Sequence, residues 1–234
     1  MNDSPRAIPL PRNQRPPGAR GSLQQHSLDV ARVLKNTYAL LSLTLLWSAG
    51  VAATGVALQL PAPGLVITLV GFFGLLFAIH KAQNSGWALP LVFALTGFMG
   101  HTLGPLLTQT LSLPGGAQTI VTALAATGAT FFALSAYVLA TKRNFSFMGG
   151  FLFAGIVIAI MLAVGAMIFQ IPGLALAVSG LVALLSVGLI LFETSRIVNG
   201  GETNYVLATV GLYISVFNLF SSLLSLLGMG GGNE

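Results

Sequence analysis

The sequence predicts an all-α membrane protein of seven transmembrane helices, with its N-terminus in the cytoplasm and its C-terminus outside. Three observations carry that prediction. First, 55% of the 234 residues are hydrophobic and only 6% are charged, whereas about a quarter of a soluble domain is charged. Second, the apolar residues gather into seven stretches: Tyr38–Gln59, Gly64–Ile79, Trp87–Thr108, Ala117–Ala140, Phe147–Gln170, Gly173–Val198 and Asn204–Gly228. Most reach the roughly 20 residues that cross about 30 Å of hydrocarbon, the second being the shortest. Third, the ten Lys and Arg residues fall only before the first stretch, after the second, after the fourth and at the end of the sixth. The turns after the first, third and fifth stretches carry no charge. Basic loops stay in the cytoplasm, so this alternation sets both span number and orientation.

Residues 1–36 read as a disordered, basic, Pro/Arg-rich cytoplasmic tail with a short interfacial helix, and residues 37–234 as the seven-helix bundle. The tail carries Pro5, Pro9, Pro11, Pro16 and Pro17 among Arg6, Arg12, Arg15 and Arg20. It has too little apolar surface to fold alone, so extended chain is expected to about residue 25. From Leu28 to Lys35 apolar residues alternate with Asp29, Arg32 and Lys35, which suggests a short helix in the interface. Residues 1–37 hold no apolar signal-peptide core, so the first span is expected to act as the insertion signal. Proline and glycine reverse the chain in the outside turns, at Leu60–Gly64, Leu113–Gly116 and Ile171–Gly173. The cytoplasmic turns are polar: His80–Asn84, Thr141–Asn144 and Asn199–Asn204. Gly104-Pro105 is expected to kink the third span and to shape an outward-facing cavity.

In the seventh stretch Asn204, Ala208, Gly211, Ser215, Asn218, Ser222 and Ser225 recur at helical spacing, opposite Leu212, Val216, Leu219, Leu223 and Leu226. Small and polar residues let helices approach closely in lipid. The seventh helix is therefore expected to pack into the bundle along its length.

Function classes narrow quickly. Six of the ten cations lie in the first 35 residues and the rest sit at the membrane edge. That placement suits orientation and anionic lipid, and argues against nucleic acid. The absence of cysteine excludes disulfides and thiol chemistry. No Gly-x-Ser-x-Gly or His-Glu-x-x-His occurs, and the aspartates, Asp3 and Asp29, lie outside the spans. A non-enzymatic protein is expected, without cofactor or metal.

Glu193 is the one acid inside a predicted span, and a carboxylate there costs on the order of 2.5–3.5 kcal/mol near the bilayer centre. It reads either as an interfacial pair with Arg196 at i,i+3 or as a proton- or cation-responsive site. His101, on a face with Gly97, Gly104 and Thr108, reads as a hydrogen-bonded packing residue, because no partners at ligand spacing accompany it.

Three segments together resemble the Bax inhibitor/YccA family of seven-span membrane proteins. They are Lys35-Asn36-Thr37-Tyr38 entering Leu40–Thr44, Phe192-Glu193-Thr194-Ser195 running to Gly200-Gly201-Glu202-Thr203-Asn204-Tyr205, and Leu212–Phe220. Gly104-Pro105-Leu106 and Lys142-Arg143 before Phe145-Ser146-Phe147 also fit. The resemblance implies six helices around a central seventh, the bacterial inner membrane and hence a periplasmic C-terminus. It further implies that the chain binds and restrains the membrane-anchored AAA protease FtsH and its associated membrane proteins, with the tail as a segment the ATPase engages. Other members are described as pH-sensitive calcium leak channels with an acidic pair on the sixth and seventh helices. Glu193 matches the first position, but the second falls at Ser215, three residues before Asn218, and a single carboxylate cannot form the shared-proton switch of two.

Overall fold

The computed structural model describes residues 17–230, with side chains from Leu28 to Gly228 apart from Pro172. Among these residues eight α-helices and one 3₁₀ turn occur, and no strand. They are α1 (Pro17–Ala57), α2 (Leu65–Ala82), α3 (Ala88–Thr102), α4 (Gly104–Leu111), α5 (Gly116–Thr141), α6 (Gly149–Phe169), α7 (Pro172–Val198) and α8 (Tyr205–Gly230), with the 3₁₀ turn at Ser146–Met148. Seven helical segments are long and apolar enough to cross a membrane, α3 and α4 counting as one. Each coincides with a stretch read from the sequence.

Two local departures have plain causes. The interfacial helix and the first span are one continuous helix from Pro17, so residues 17–25 are helical where extended chain was expected. Nothing between Leu28 and Tyr38 breaks helical hydrogen bonding, and proline is well tolerated in a first helical turn. The third span breaks at Leu103, between α3 and α4. Pro105 has no N–H to donate to the His101 carbonyl, and the Leu103 N–H turns instead to the Gly100 oxygen at 3.2 Å.

Helix α8 is the axis of the bundle. Half of its membrane window is buried, the largest share of any span. It packs against α1, α3–α4, α5 and α7. Helix α2 instead leans on α3, and α6 on α7, so four spans rather than six form the wall around the seventh. The small-residue face is buried as expected at Ala208, Ser215 and Ser222, but Leu212 and Leu219 opposite are buried too. Both faces of the helix are thus packed against neighbours.

Close approach explains several small residues. A methyl group on Gly100 would collide with the Ser48 backbone carbonyl, and one on Gly97 would lie 2.7 Å from Trp47 Nε1. The indole uses that proximity to donate to the Phe93 carbonyl at 3.0 Å. Helices α1 and α3 thus meet backbone to backbone, as small residues permit in lipid.

Candidate functional site

The end of the bundle that carries the basic turns is held by two polar networks. Helix α7 ends there in a Schellman motif: Gly201 N–H donates to the Arg196 carbonyl at 2.7 Å and Gly200 N–H to that of Ile197 at 3.2 Å. Gly200 takes the left-handed conformation (φ 72°) that this motif needs. The turn brings Glu202 back over α7, where its carboxylate accepts from Arg196 Nη2 at 3.0 Å. Arg196 Nη1 reaches Glu193 at 3.5 Å, and its guanidinium lies 5.7 Å from the Phe192 ring centroid. One arginine therefore bridges two carboxylates whose side chains are only 15% and 12% exposed.

The network continues outward. The second Glu202 oxygen accepts the Asn204 N–H at 2.9 Å, and Asn204 Oδ1 caps α8 by accepting the Val206 N–H at 2.9 Å. Asn204 Nδ2 donates to the Gln83 carbonyl at 3.3 Å and to Asn84 Oδ1 at 3.1 Å, which ties in the α2–α3 turn. On the other side of α7, buried Ser195 Oγ accepts the Phe145 N–H at 2.8 Å and donates to the Arg143 carbonyl at 3.1 Å. Asn199 Nδ2 adds bonds to Ser195 Oγ and to its carbonyl. Three turns are thereby fixed to α7.

Glu193 is enclosed because α8 has no side chain at Gly211: a Cβ there would stand 2.9 Å from the Glu193 Cδ. Ser215, one turn along, spends its hydroxyl on the Gly211 carbonyl at 2.9 Å. Asn218 is half-buried another turn away, and its carbonyl accepts the Ser221 hydroxyl. Of the residues singled out in the sequence, Glu193 and Arg196 thus meet directly, while Ser215 and Asn218 continue the same α8 line below them. His101 lies apart at the end of α3, its Nδ1 3.5 Å from where a Gly55 Cβ would stand. No cluster of three His, Asp or Glu that could hold a metal occurs among the described residues. Arg6, Arg12 and Arg15 lie outside the described residues, as does the side chain of Arg20.

Sequence reasoning missed three participants. Glu202 was visible only as part of a turn motif, because its distance from Glu193 along the chain hides that the Schellman turn folds it onto Arg196. Ser195 sat unread beside Glu193. Tyr213, fully buried at the centre of α8, shares a 2.6 Å hydrogen bond with Ser48 of α1 and donates to the Thr96 carbonyl of α3 at 3.1 Å. A tyrosine in the middle of a span was the available signal, since a buried phenol needs a partner.

Comparison with known proteins places these features. The family described as "Inhibitor of apoptosis-promoting Bax1" matches residues 30–232. The chain is 50% identical over 201 residues to an Escherichia coli K12 protein named "Modulator of FtsH protease YccA", covering 86% of this chain and 91% of that one. The corresponding protein of a second E. coli strain, similar to the same extent, is named "Inner membrane protein YccA". A Pseudomonas aeruginosa protein is 48% identical over 206 residues, covering 88% of this chain and 93% of its own.

Proposed function

The chain belongs to the Bax inhibitor family, and from that premise we propose that it is a non-enzymatic inner-membrane protein that binds and modulates a membrane-anchored AAA protease of the FtsH type. The observation that carries this reading is the 50% identity, over nearly the whole chain, to the protein named as a modulator of that protease. Names of the modulator and inhibitor kind belong to regulators. Orientation follows from charge: the end bearing Lys81, Lys142, Arg143 and Arg196 faces the cytoplasm. That puts the networked turns and the Pro/Arg-rich tail on the side where a ring ATPase works. The rigid turns form the surface a partner grips, and the tail with Arg6, Arg12, Arg15 and Arg20 is the segment the ATPase engages.

The test is a mild-detergent purification of the tagged protein from its native membranes, followed by mass spectrometry. Recovery of the AAA protease and its associated membrane proteins, well above an unrelated seven-span control, is the expected result. A protein that emerges alone removes this reading. Deleting residues 1–25 is expected to abolish the protein's own turnover while insertion persists; unchanged turnover refutes the role of the tail.

A second reading is favoured by the bridge of Glu193, Arg196 and Glu202. Two enclosed carboxylates sharing one guanidinium resemble a charge lock, and opening it is what a pH-sensitive cation leak requires. Glu202, rather than Ser215, is then the second acid. Glu193→Gln in reconstituted vesicles is expected to change calcium flux or its pH dependence. Flux equal to that of empty liposomes for the unaltered protein ends this alternative.

A further inference from the structure

A long apolar cleft of about 660 Å³ runs along the membrane-facing side of the bundle between α1 and α5. Helix α4 closes one end and α8 forms its floor, where Tyr213 and Phe217 line it. Protein interiors are close-packed and seldom leave voids much larger than a water molecule. The gap exists because its walls are built from small residues: Ser42, Ala49, Ala53 and Ala57 on α1, and Gly128 on α5. A Cβ on Gly128 would meet nothing within 4 Å.

The dimensions select the occupant. The cleft is lined from Tyr38 to Ala57 along α1, about 28 Å at 1.5 Å per residue, so one acyl chain entering at Tyr38 and spanning a single leaflet of about 15 Å fills the half nearest that end. Even the whole empty space between its walls, about 1670 Å³ with the open mouth included, leaves a mean cross-section of roughly 60 Å² over the full length of the cleft, against roughly 80 Å² for a helix about 10 Å across. A partner helix does not fit. A polymethylene chain, one carbon wide with neighbours about 4 Å away, does.

Ser42, Ser48, Thr127 and Tyr213 along the walls spend their hydroxyls within the protein, whereas the charged groups lie at one end. Tyr38 lines the cleft with its ring 5.8 Å from that of Phe131, and its buried hydroxyl has no hydrogen-bond partner among the described residues. One helical turn further out stands Lys35, exposed and in no ion pair among the described residues, with Arg32 beyond it. Positive charge at the membrane surface next to a hydrocarbon-sized slot matches an anionic headgroup joined to an acyl chain.

We propose that this cleft holds one acyl chain of an anionic phospholipid, whose headgroup lies at the Lys35 end. The lipid covers the small-residue wall between α1 and α5, with its chain against the Tyr38 side chain at the entrance. Native mass spectrometry of the full-length protein tests it, after exchange into a delipidating detergent and titration with phosphatidylglycerol or phosphatidylcholine. The unaltered protein is expected to retain one phosphatidylglycerol in preference to phosphatidylcholine. Gly128→Leu, which fills the cleft, lowers that occupancy at least tenfold, and Gly128→Ala gives an intermediate loss with the fold secure. Lys35→Gln removes the preference between headgroups while a lipid is still retained. Equal retention by the unaltered protein and both Gly128 variants overturns the proposal, and so does equal binding of the two lipids by the unaltered protein. Recovery of a hydrophobic peptide in place of a lipid overturns it as well.

Discussion

Replacing Tyr213 by phenylalanine tests how the central helix is held. The substitution keeps the ring and removes one oxygen that makes two contacts. The phenol donates to the Thr96 carbonyl at 3.1 Å and, its own proton being spent there, accepts from Ser48 Oγ at 2.6 Å. Hydrogen bonds between membrane helices average about 0.6 kcal/mol by double-mutant cycles and reach about 1.7. The Ser48 bond is short and fully buried, so the pair is expected to contribute about 1–2 kcal/mol. Ser48→Ala removes one of the two and should cost about half as much. In the double variant the shared bond is lost only once, so its cost should fall short of the sum of the singles by about 0.6–1 kcal/mol. Reversible unfolding in mixed micelles reads all three, with tryptophan fluorescence as the signal; Trp47, hydrogen-bonded across α1 and α3, reports on the same junction. A Tyr213→Phe variant within about 0.3 kcal/mol of the parent, or strictly additive single variants, would refute the claim that this phenol fastens three helices.

Further predictions concern close approach and the polar end. Gly100→Ala drives a methyl group into the Ser48 backbone and should cost at least about 1–3 kcal/mol, whereas Gly128→Ala, facing open space, should be neutral or stabilising by up to about 1 kcal/mol; denaturant midpoints distinguish them. Arg196→Gln leaves Glu193 and Glu202 without their cation and should destabilise by about 1–3 kcal/mol, tempered by the partial exposure of the arginine. Arg196→Lys should recover only part of this in a thermal unfolding scan, because a point charge cannot reproduce the fork that spans two carboxylates. Ser195→Ala strands the Phe145 amide, expected to cost about 1–3 kcal/mol, and hydrogen exchange at Phe145 should accelerate.

The pattern of expectation and outcome follows the range of the forces involved. The spans were legible because lipid requires every backbone hydrogen bond to be satisfied within a helix, so any long apolar stretch becomes one. The break at Leu103 was equally local, a consequence of the missing N–H of Pro105. Burial of α8 could be anticipated from its small and polar face, and the pairing of Glu193 with Arg196 from their i,i+3 spacing on one helix. These features depend on neighbours within a turn or two.

What the linear order concealed was whatever depends on how one helix end returns over another. Glu202 joins Arg196 only because Gly200 adopts a left-handed turn, and Ser195 holds Phe145 across fifty positions of chain. Tyr213 finds Ser48 and Thr96 on two other helices, and the spans that stand away from α8, α2 and α6, are as apolar as those that touch it. In lipid, hydropathy rewards every span alike for entering the membrane and does not distinguish one neighbour from another. By itself the sequence determined the number and position of the helices. Which helices meet, and where the cleft between α1 and α5 is left open, was decided by close packing of small residues and by a few buried hydrogen bonds, which exist only once the helices are side by side.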